Sequence, residues 1–535
     1  MARTCPSESL TVSTSECAFT AFILADLVWA VPSGIFMTLP TDTHDPVQFD
    51  NSYGRLPGRF FARLDPVPVA SPRLLVINVG LARQLGLDPN MLASPDGVQI
   101  LSGNQVAAGS QPIAMAYAGH QFGRFVPQLG DGRAMLLGEV IDSDGARRDI
   151  QLKGSGRTPF SRRGDGRAAL GPVLREYLIS EAFAALGIPT TRSLAAIATG
   201  DMILREEGLV PGAVLTRVAA SHVRVGTFQY FAGRGDLDGM RTLADYVIAR
   251  HFPNATKVLN PYQALLEGVI DRQAKLVARW MLVGFIHGVM NTDNMSIAGE
   301  TLDFGPCAFL DAYDPNKVFS AIDQTGRYAF GNQADIAQWN LARFAETLLP
   351  LLSPDIPSAL KVAQEAIEGF SANFQAAHNA GLRVKLGLSR DMPGDAALAH
   401  DLLDCMTENA ADFTLTFRAL SHSAAEGCDH VELRGQFAHK PGNFDSWLQR
   451  WRARLAEELV SPAERQAAMR QANPAFIPRN HRVEEALQAA GGGDLEPFNT
   501  LHRVLANPFL ERPDFSHYAE PPAPGQVVHQ TFCGT

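Results

Sequence analysis

The sequence predicts an α+β fold of two lobes, β-rich toward the N-terminus and helical toward the C-terminus, with an extension at each end. Three observations predict it. Two strand-like runs joined by a turn lead to Lys153, the segment after them reads as a helix carrying Glu176, and from residue 273 onward helices dominate around the loops that hold Asn294 and Asp303. At 535 residues, the chain also exceeds what a single core of ordinary size accommodates. The expected divisions are residues 1–44 as a poorly ordered extension, 45–205 as the N-terminal lobe, 206–400 as the C-terminal lobe, and 401–535 as a helical region with a tail.

Taken in order, residues 18–36 are mostly apolar but broken by Asp26, Pro32 and Gly34, and only Arg3 precedes them as a basic residue. A bilayer helix wants about 20 apolar residues and a signal peptide a basic start. The stretch therefore reads as a disordered or mis-called extension ahead of Met37, with a targeting segment as the alternative. No later stretch reads as a membrane span. Residues 73–77 form a strand and 80–85 a helical turn; after a loop over 128–133, strands 134–140 and 149–153 make a hairpin closed by Asp142-Ser143-Asp144-Gly145. Residues 170–186 are helical and end at Gly187-Ile188-Pro189. A strand follows over 213–217, and Ser221 is placed to cap a helix with Arg224 in its first turn. A buried helix is expected over 273–290, with Trp280 and Met281 in the core, then helices over 330–352, 357–380, 395–406, 413–421 and 444–459. A last short helix begins at Ala486-Leu487-Gln488, before a Pro-rich tail.

With 46% hydrophobic and 19% charged residues and a formal net charge of −10, the composition is that of a soluble globular protein without an overall basic field for nucleic acid or anionic lipid. Six scattered cysteines lack the spacing of a zinc site or a dense disulfide scaffold. A reducing compartment fits, with the cytoplasm of a bacterium as the first expectation and a mitochondrion if the source is eukaryotic.

Asp303-Phe304-Gly305 lies nine residues after Asn294, and Asn294 follows His287-Gly288 at the spacing of a protein-kinase catalytic loop. In kinases an aspartate of that loop receives the substrate hydroxyl's proton, while the Asn and the DFG Asp hold Mg²⁺ on the nucleotide. Here Val289 fills the aspartate's slot. Asp293, beside Asn294 on a loop that faces metal and phosphate, is the candidate acceptor instead. His287 reads as a packing histidine bonded to backbone near the DFG turn.

Lys153 ends a strand as the kinase phosphate-binding lysine does, and Glu176 is its best helix partner, with Glu181 the second choice. Gly130 and Gly132 leave room for phosphate oxygens beside Arg133, although such a pair more often makes an ordinary turn. Gly154, Gly156, Gly164 and Gly166 alternate with Arg157, Arg162, Arg163 and Arg167, which suits close backbone approach to a polyanion better than a linker, a solvated basic face being the alternative. Arg224 at a helix start opposes the helix dipole, and an anion bound by it and Arg217 would relieve the conflict; surface salt bridging is an equal alternative.

On these residues, together with Phe49-Asp50-Asn51-Ser52-Tyr53, Tyr117-Ala118-Gly119-His120-Gln121-Phe122-Gly123, Asp303-Phe304-Gly305-Pro306 and Pro478-Arg479-Asn480-His481, the chain resembles the selenoprotein O/YdiU family of protein-kinase-like AMP transferases from about residue 45 to its end. The resemblance implies a protein-kinase-like fold and ATP bound in the reverse of the kinase sense, with its outer phosphates inward and the α-phosphate offered to a Ser, Thr or Tyr hydroxyl of a protein. It further implies nucleotide contacts from Gly130, Gly132, Arg133, Lys153, Asp165, Gly166, Arg217, Arg224 and Asp303, an ion pair of Lys153 with Glu176, Mg²⁺ or Mn²⁺ on Asn294 and Asp303, and Asp293 as proton acceptor. UTP is the alternative donor. The chain departs from selenium-containing members by ending Phe532-Cys533-Gly534-Thr535 with ordinary cysteine. A redox contact of Cys533 with Cys307 is one reading of this tail, but isolated cysteines are more often buried or free thiols. Two rival functions stay open: a kinase that transfers the γ-phosphate with Asp293 as a displaced base, and a nucleotide-binding pseudokinase scaffold, for which Val289 speaks.

Overall fold

The computed structural model describes residues 47–206, 208–425 and 430–532. The expected extension over residues 1–44, and Cys533, lie outside the described residues. The architecture is α+β, its strands being β1 (Phe61–Arg63), β2 (Arg73–Ile77), β3 (Ile113–Met115), β4 (Gly119–Gln121), β5 (Arg124–Val126), β6 (Ala134–Ile141), β7 (Arg147–Lys153), β8 (Ala168–Ala169), β9 (Arg192–Arg205), β10 (Gly208–Ala219), β11 (Phe285–Ile286) and β12 (Ala308–Phe309). The main sheet runs β1-β3-β6-β7-β10-β9-β2, with β8 pairing β10. All of its pairings are antiparallel.

Strand alternation explains how this sheet presents charge. Ile150 and Leu152 of β7 join Leu81, Leu92, Leu101 and Val214 in one apolar layer, so Gln151 and Lys153 point the other way. Leu215 of β10 pairs with Lys153 and Arg217 with Gln151, which puts the Lys153 and Arg217 side chains on one face as diagonal neighbours. The helix Leu170–Ala185 lies on this second face and packs Leu174, Tyr177 and Leu178 with Ala196 and Leu215. Helices Asn480–Gly491 and Glu496–Leu505 join the same layer through Val483, Phe498 and Leu501.

Helices Val225–Ala232, Leu237–His251, Pro261–Leu282, Gln333–Leu352 and Ile356–Lys385 share a large core that also takes in Phe183, Phe285 and Phe304. A further core around Trp447 and Trp451 gathers Asp395–Asn409, Phe413–Ser423, Pro441–Ala456 and Pro462–Ala472. Among the described residues no helix is long and apolar enough to cross a membrane.

The structure corrects three readings. The helix expected over 273–290 spans Pro261–Leu282: the Asn260 side chain accepts from Gln263 N to start it, and Gly284 at φ +72° turns the chain out of it toward β11. Arg224 is the cap residue of its helix rather than a first-turn residue. Thr227 Oγ1 accepts its amide at 3.2 Å, while Ser221 Oγ accepts from Val223 N at 3.1 Å. Finally, Ala486 lies inside Asn480–Gly491, and two further helices, Pro462–Ala472 and Glu496–Leu505, flank it. Pro462–Ala472 buries only Met469, too little periodicity to announce itself.

Candidate active site

Lys153, Arg217, Arg224, Asp293, Asn294 and Asp303 come together around one cavity of ≈ 360 Å³. They arrive from β7, β10, a helix start and two loops, up to 150 residues apart in sequence. Lys153 Nζ donates to Glu176 Oε2 at 2.5 Å and to Asp303 Oδ1 at 2.8 Å. Arg217 Nη2 makes the same bridge, 2.8 Å from Glu176 Oε1 and 2.7 Å from Asp303 Oδ1. Arg224 Nη1 stands 3.4 Å from Asp303 Oδ2. Burial alone would raise the Asp303 carboxyl, but the charges of Arg217, Lys153 and Arg224 overcome it and hold the group well below the usual carboxylate range. Glu176 is lowered for the same reason, against its burial, by Arg217 and Lys153. Glu181, the second choice for the lysine's partner, instead pairs with Arg192 at 2.6 Å.

Asp293 faces the same cavity under the opposite influence. Its Oδ2 receives Gln121 Nε2 at 3.4 Å, and its Oδ1 is buried without a hydrogen-bond partner among the described residues. Burial pushes its carboxyl up to about 6, with Arg224 opposing. Arg224 Nη1 donates to the Asp293 backbone carbonyl at 2.8 Å, and the Arg224 Cζ lies 4.4 Å from the Tyr117 ring centroid. Asn294 commits its amide nitrogen to Val289 O at 3.0 Å, so its oxygen is the atom it can offer a cation. Val289 itself lines the cavity as a hydrocarbon. His287 behaves as expected, with Nε2 3.0 Å from Leu302 O in the core.

The glycine-rich segments wall a second, outer cavity of ≈ 760 Å³, which includes Gly130, Asp165 and Gly166 and shares Gly132, Arg133 and Asp293 with the inner one. At Gly130 (φ +75°) a Cβ would fall 2.3 Å from the Phe160 ring. That glycine admits the aromatic loop behind it. Asp165 holds Arg205 at 2.8 Å and accepts the Arg167 amide at 2.9 Å.

Sequence reasoning missed the residues that seat Asp293. A Cβ on Gly119 would lie 2.7 Å from Asp293 Oδ1, Gln121 reaches the other oxygen, and Thr292 Oγ1 accepts His120 N at 2.7 Å. Gly119, His120 and Gln121 belong to the Tyr117–Gly123 motif, whose text was distinctive and whose contact with residue 293 was not written in it. Asp131, buried between Gly130 and Gly132, was missed too; it accepts from Met115 N at 3.1 Å and pins the glycine loop to β3. Beside the Asp303 loop, Thr531 donates to Pro306 O at 2.6 Å. Cys307 is a buried free thiol whose pKa burial pushes up to about 11.

A family model described as "Protein adenylyltransferase SelO" matches residues 45–506. The chain is 62% identical over 488 residues to proteins named "Protein nucleotidyltransferase YdiU" of Bradyrhizobium sp. (strain BTAi1) and Rhodopseudomonas palustris (strain BisB5), covering 91% of this chain and 99% of each relative. It is similarly 62% identical over 493 residues to the Methylorubrum populi protein of that name, again 91% and 99% covered. The chain belongs to the SelO family of protein adenylyltransferases.

Proposed function

We propose that this SelO-family protein transfers AMP from ATP to Ser, Thr or Tyr hydroxyls of proteins and releases pyrophosphate, with UTP as an alternative donor. Family membership makes it a nucleotidyltransferase; the direction in which the nucleotide lies and the residue roles are our reading. The observation that carries it is the pairing in one cavity of a half-unpartnered Asp293, shifted to about 6, with a cation cluster on Asp303, while Val289 occupies the kinase base slot. Lys153, Arg217 and Arg224 hold the outer phosphates inward, where charge-assisted bonds are roughly twice as strong as neutral ones. Arg133, Gly130, Gly132, Asp165 and Gly166 hold the rest of the nucleotide on the outer side. The α-phosphorus then sits near Asp293.

In the transfer, the acceptor oxygen forms a bond to the α-phosphorus as the bond from that phosphorus to the bridging oxygen breaks. Pyrophosphate leaves with the electron pair, and the hydroxyl proton passes to the Asp293 carboxylate, whose raised pKa suits a base near neutrality. Among the described residues no group of three or more His, Cys, Asp and Glu side chains is placed to hold a metal ion. Asn294 and Asp303 nevertheless fit Mg²⁺ or Mn²⁺ in the manner of sites that hard ions complete with phosphates and water. When bound, the ion neutralises the departing pyrophosphate charge. The sheet with its covering helices and the large helical region would act as two kinase-like lobes in a cytoplasmic protein, the first running past residue 205 to the end of β10 at Ala219, because β10 is an interior strand of the sheet; the free thiols of Cys307 and Cys405 accord with a reducing compartment.

ATP labelled at the α- or the γ-phosphate tests this. Label from the α-position on protein, with an intact-mass gain of one adenylyl group, is expected; γ-label on protein would replace this reading with the kinase one.

A further inference from the structure

The outer cavity carries two arginines that a phosphate tail in the inner cavity leaves unused. Arg157 and Arg163 line the outer cavity but not the inner one, and both are exposed. Among the described residues neither makes an ion pair or a side-chain hydrogen bond. Of the other arginines here, Arg167 donates to Val67 O at 3.0 Å and Pro68 O at 2.8 Å, Arg205 donates to Asp165 at 2.8 Å, and Arg162 lines both cavities. In a chain of net charge −10, two unpaired guanidiniums at the mouth of a site are a local exception.

The β9–β10 hairpin adds an apolar face next to them. Leu204 pairs across the hairpin with Leu209, and Met202 with Pro211, so these side chains share one side of the sheet. Met202, Leu204 and Leu209 are 55%, 72% and 66% exposed. Leu204 also lines the outer cavity, so this face begins at its rim. The Arg205–Asp165 pair ties the hairpin to the arginine loop and fixes the two surfaces relative to each other.

We propose that the loop with Arg157 and Arg163, together with the hairpin face, is the docking surface for the acceptor protein, and that its occupant is a segment carrying acidic side chains and an apolar side chain near the modified hydroxyl. The inference rests on the AMP-transfer reading. Asp293 borders both cavities, so an acceptor that reaches it from the outer side passes these arginines. Charge complementarity selects the partner: solvated guanidiniums attract carboxylates and repel basic segments. Phosphates held by Lys153 and the buried Arg217 and Arg224 gain little from screened charges farther out.

The test uses the full chain, α-labelled ATP and two random copolymers, one of Glu and Tyr and one of Lys and Tyr. The Glu/Tyr polymer is expected to label about tenfold faster or more at low salt, with the advantage shrinking as ionic strength rises. The double variant Arg157→Gln/Arg163→Gln should raise KM for the Glu/Tyr polymer about three- to tenfold while KM for ATP holds. Leu204→Ser/Leu209→Ser should raise the polymer KM in the same direction. Self-labelling of the enzyme, followed in the same tubes, separates the two ideas. Self-labelling with equal or no labelling of both polymers sinks the docking surface alone, as does a double variant that raises KM for ATP instead. No α-label on any protein, the enzyme included, sinks the transfer reading and this inference with it.

Discussion

The loop around Asp293 and the loop around Asp303 border one cavity and treat their carboxylates in opposite ways. Asp303 is surrounded by Lys153, Arg217 and Arg224 and is held well below the usual range, whereas Asp293 is buried with one oxygen unpartnered and is pushed up to about 6. Both groups are carboxylates and both are desolvated, so the sign of the shift is set by cations, not by residue type. A pair of acids driven apart in this way can divide labour: one stays ionised to hold positive charge, the other exchanges a proton near neutrality.

The largest expected effect comes from removing the permanently ionised member. Asp303→Ala should abolish transfer, at least a thousandfold, with the fold retained by circular dichroism; normal turnover in that variant would remove Asp303 from the site. Next, Asp293→Asn should lower kcat by about 10²- to 10⁴-fold. In the wild type, kcat/KM should rise with pH through about 6 as Asp293 ionises. That limb should be missing from the residual activity of Asp293→Asn.

A smaller effect tests placement alone. Gly119→Ala puts a methyl 2.7 Å from Asp293 Oδ1 and 3.1 Å from its Cβ, so Asp293 must shift while every charge in the cavity remains. A fall in kcat of about ten- to a hundredfold with little change in KM for ATP is expected, and an unchanged kcat would show that the seat of Asp293 tolerates displacement. The smallest effect is on stability, and it has opposite signs in the two loops. Asp303, with a lowered folded pKa, contributes stability that is present above its unfolded value and is lost as pH falls. Asp293, with a raised one, contributes stability that is present below its unfolded value and is lost as pH rises through about 6. In urea titrations at about pH 8, Asp293→Asn should therefore gain roughly 1–3 kcal/mol, a gain that vanishes near pH 4, while Asp303→Asn should lose stability at the higher pH.

Much of this site was legible because its chemistry is local in sequence. Lys153 at the end of an alternating strand, Glu176 on the next helix, and Asn294 and Asp303 on short loops each announce themselves by spacing. The face that Lys153 and Arg217 share followed only from the β7–β10 register, which no single strand encodes. The seat of Asp293 was illegible for a related reason. Gly119, His120 and Gln121 lie in a three-residue strand paired with another of three, too short for any periodicity, and meet the Asp293 loop across roughly 170 residues of chain. The helix Pro261–Leu282 was misplaced because its apolar stripe continues into β11, and only the turn at Gly284 separates them.

The triple embrace of Asp303 bears on the order in which the site fills. A divalent ion arriving by itself meets a carboxylate whose lone pairs already face an ammonium and two guanidiniums, and must displace them without recompense. On the proposed ligand set, the triphosphate draws those side chains to its own oxygens and frees the carboxylate, so each guest tightens the hold on the other, by thermodynamic reciprocity to the same degree. On that reading the ion would enter as the nucleotide's companion, and the resting protein would stay closed to stray cations.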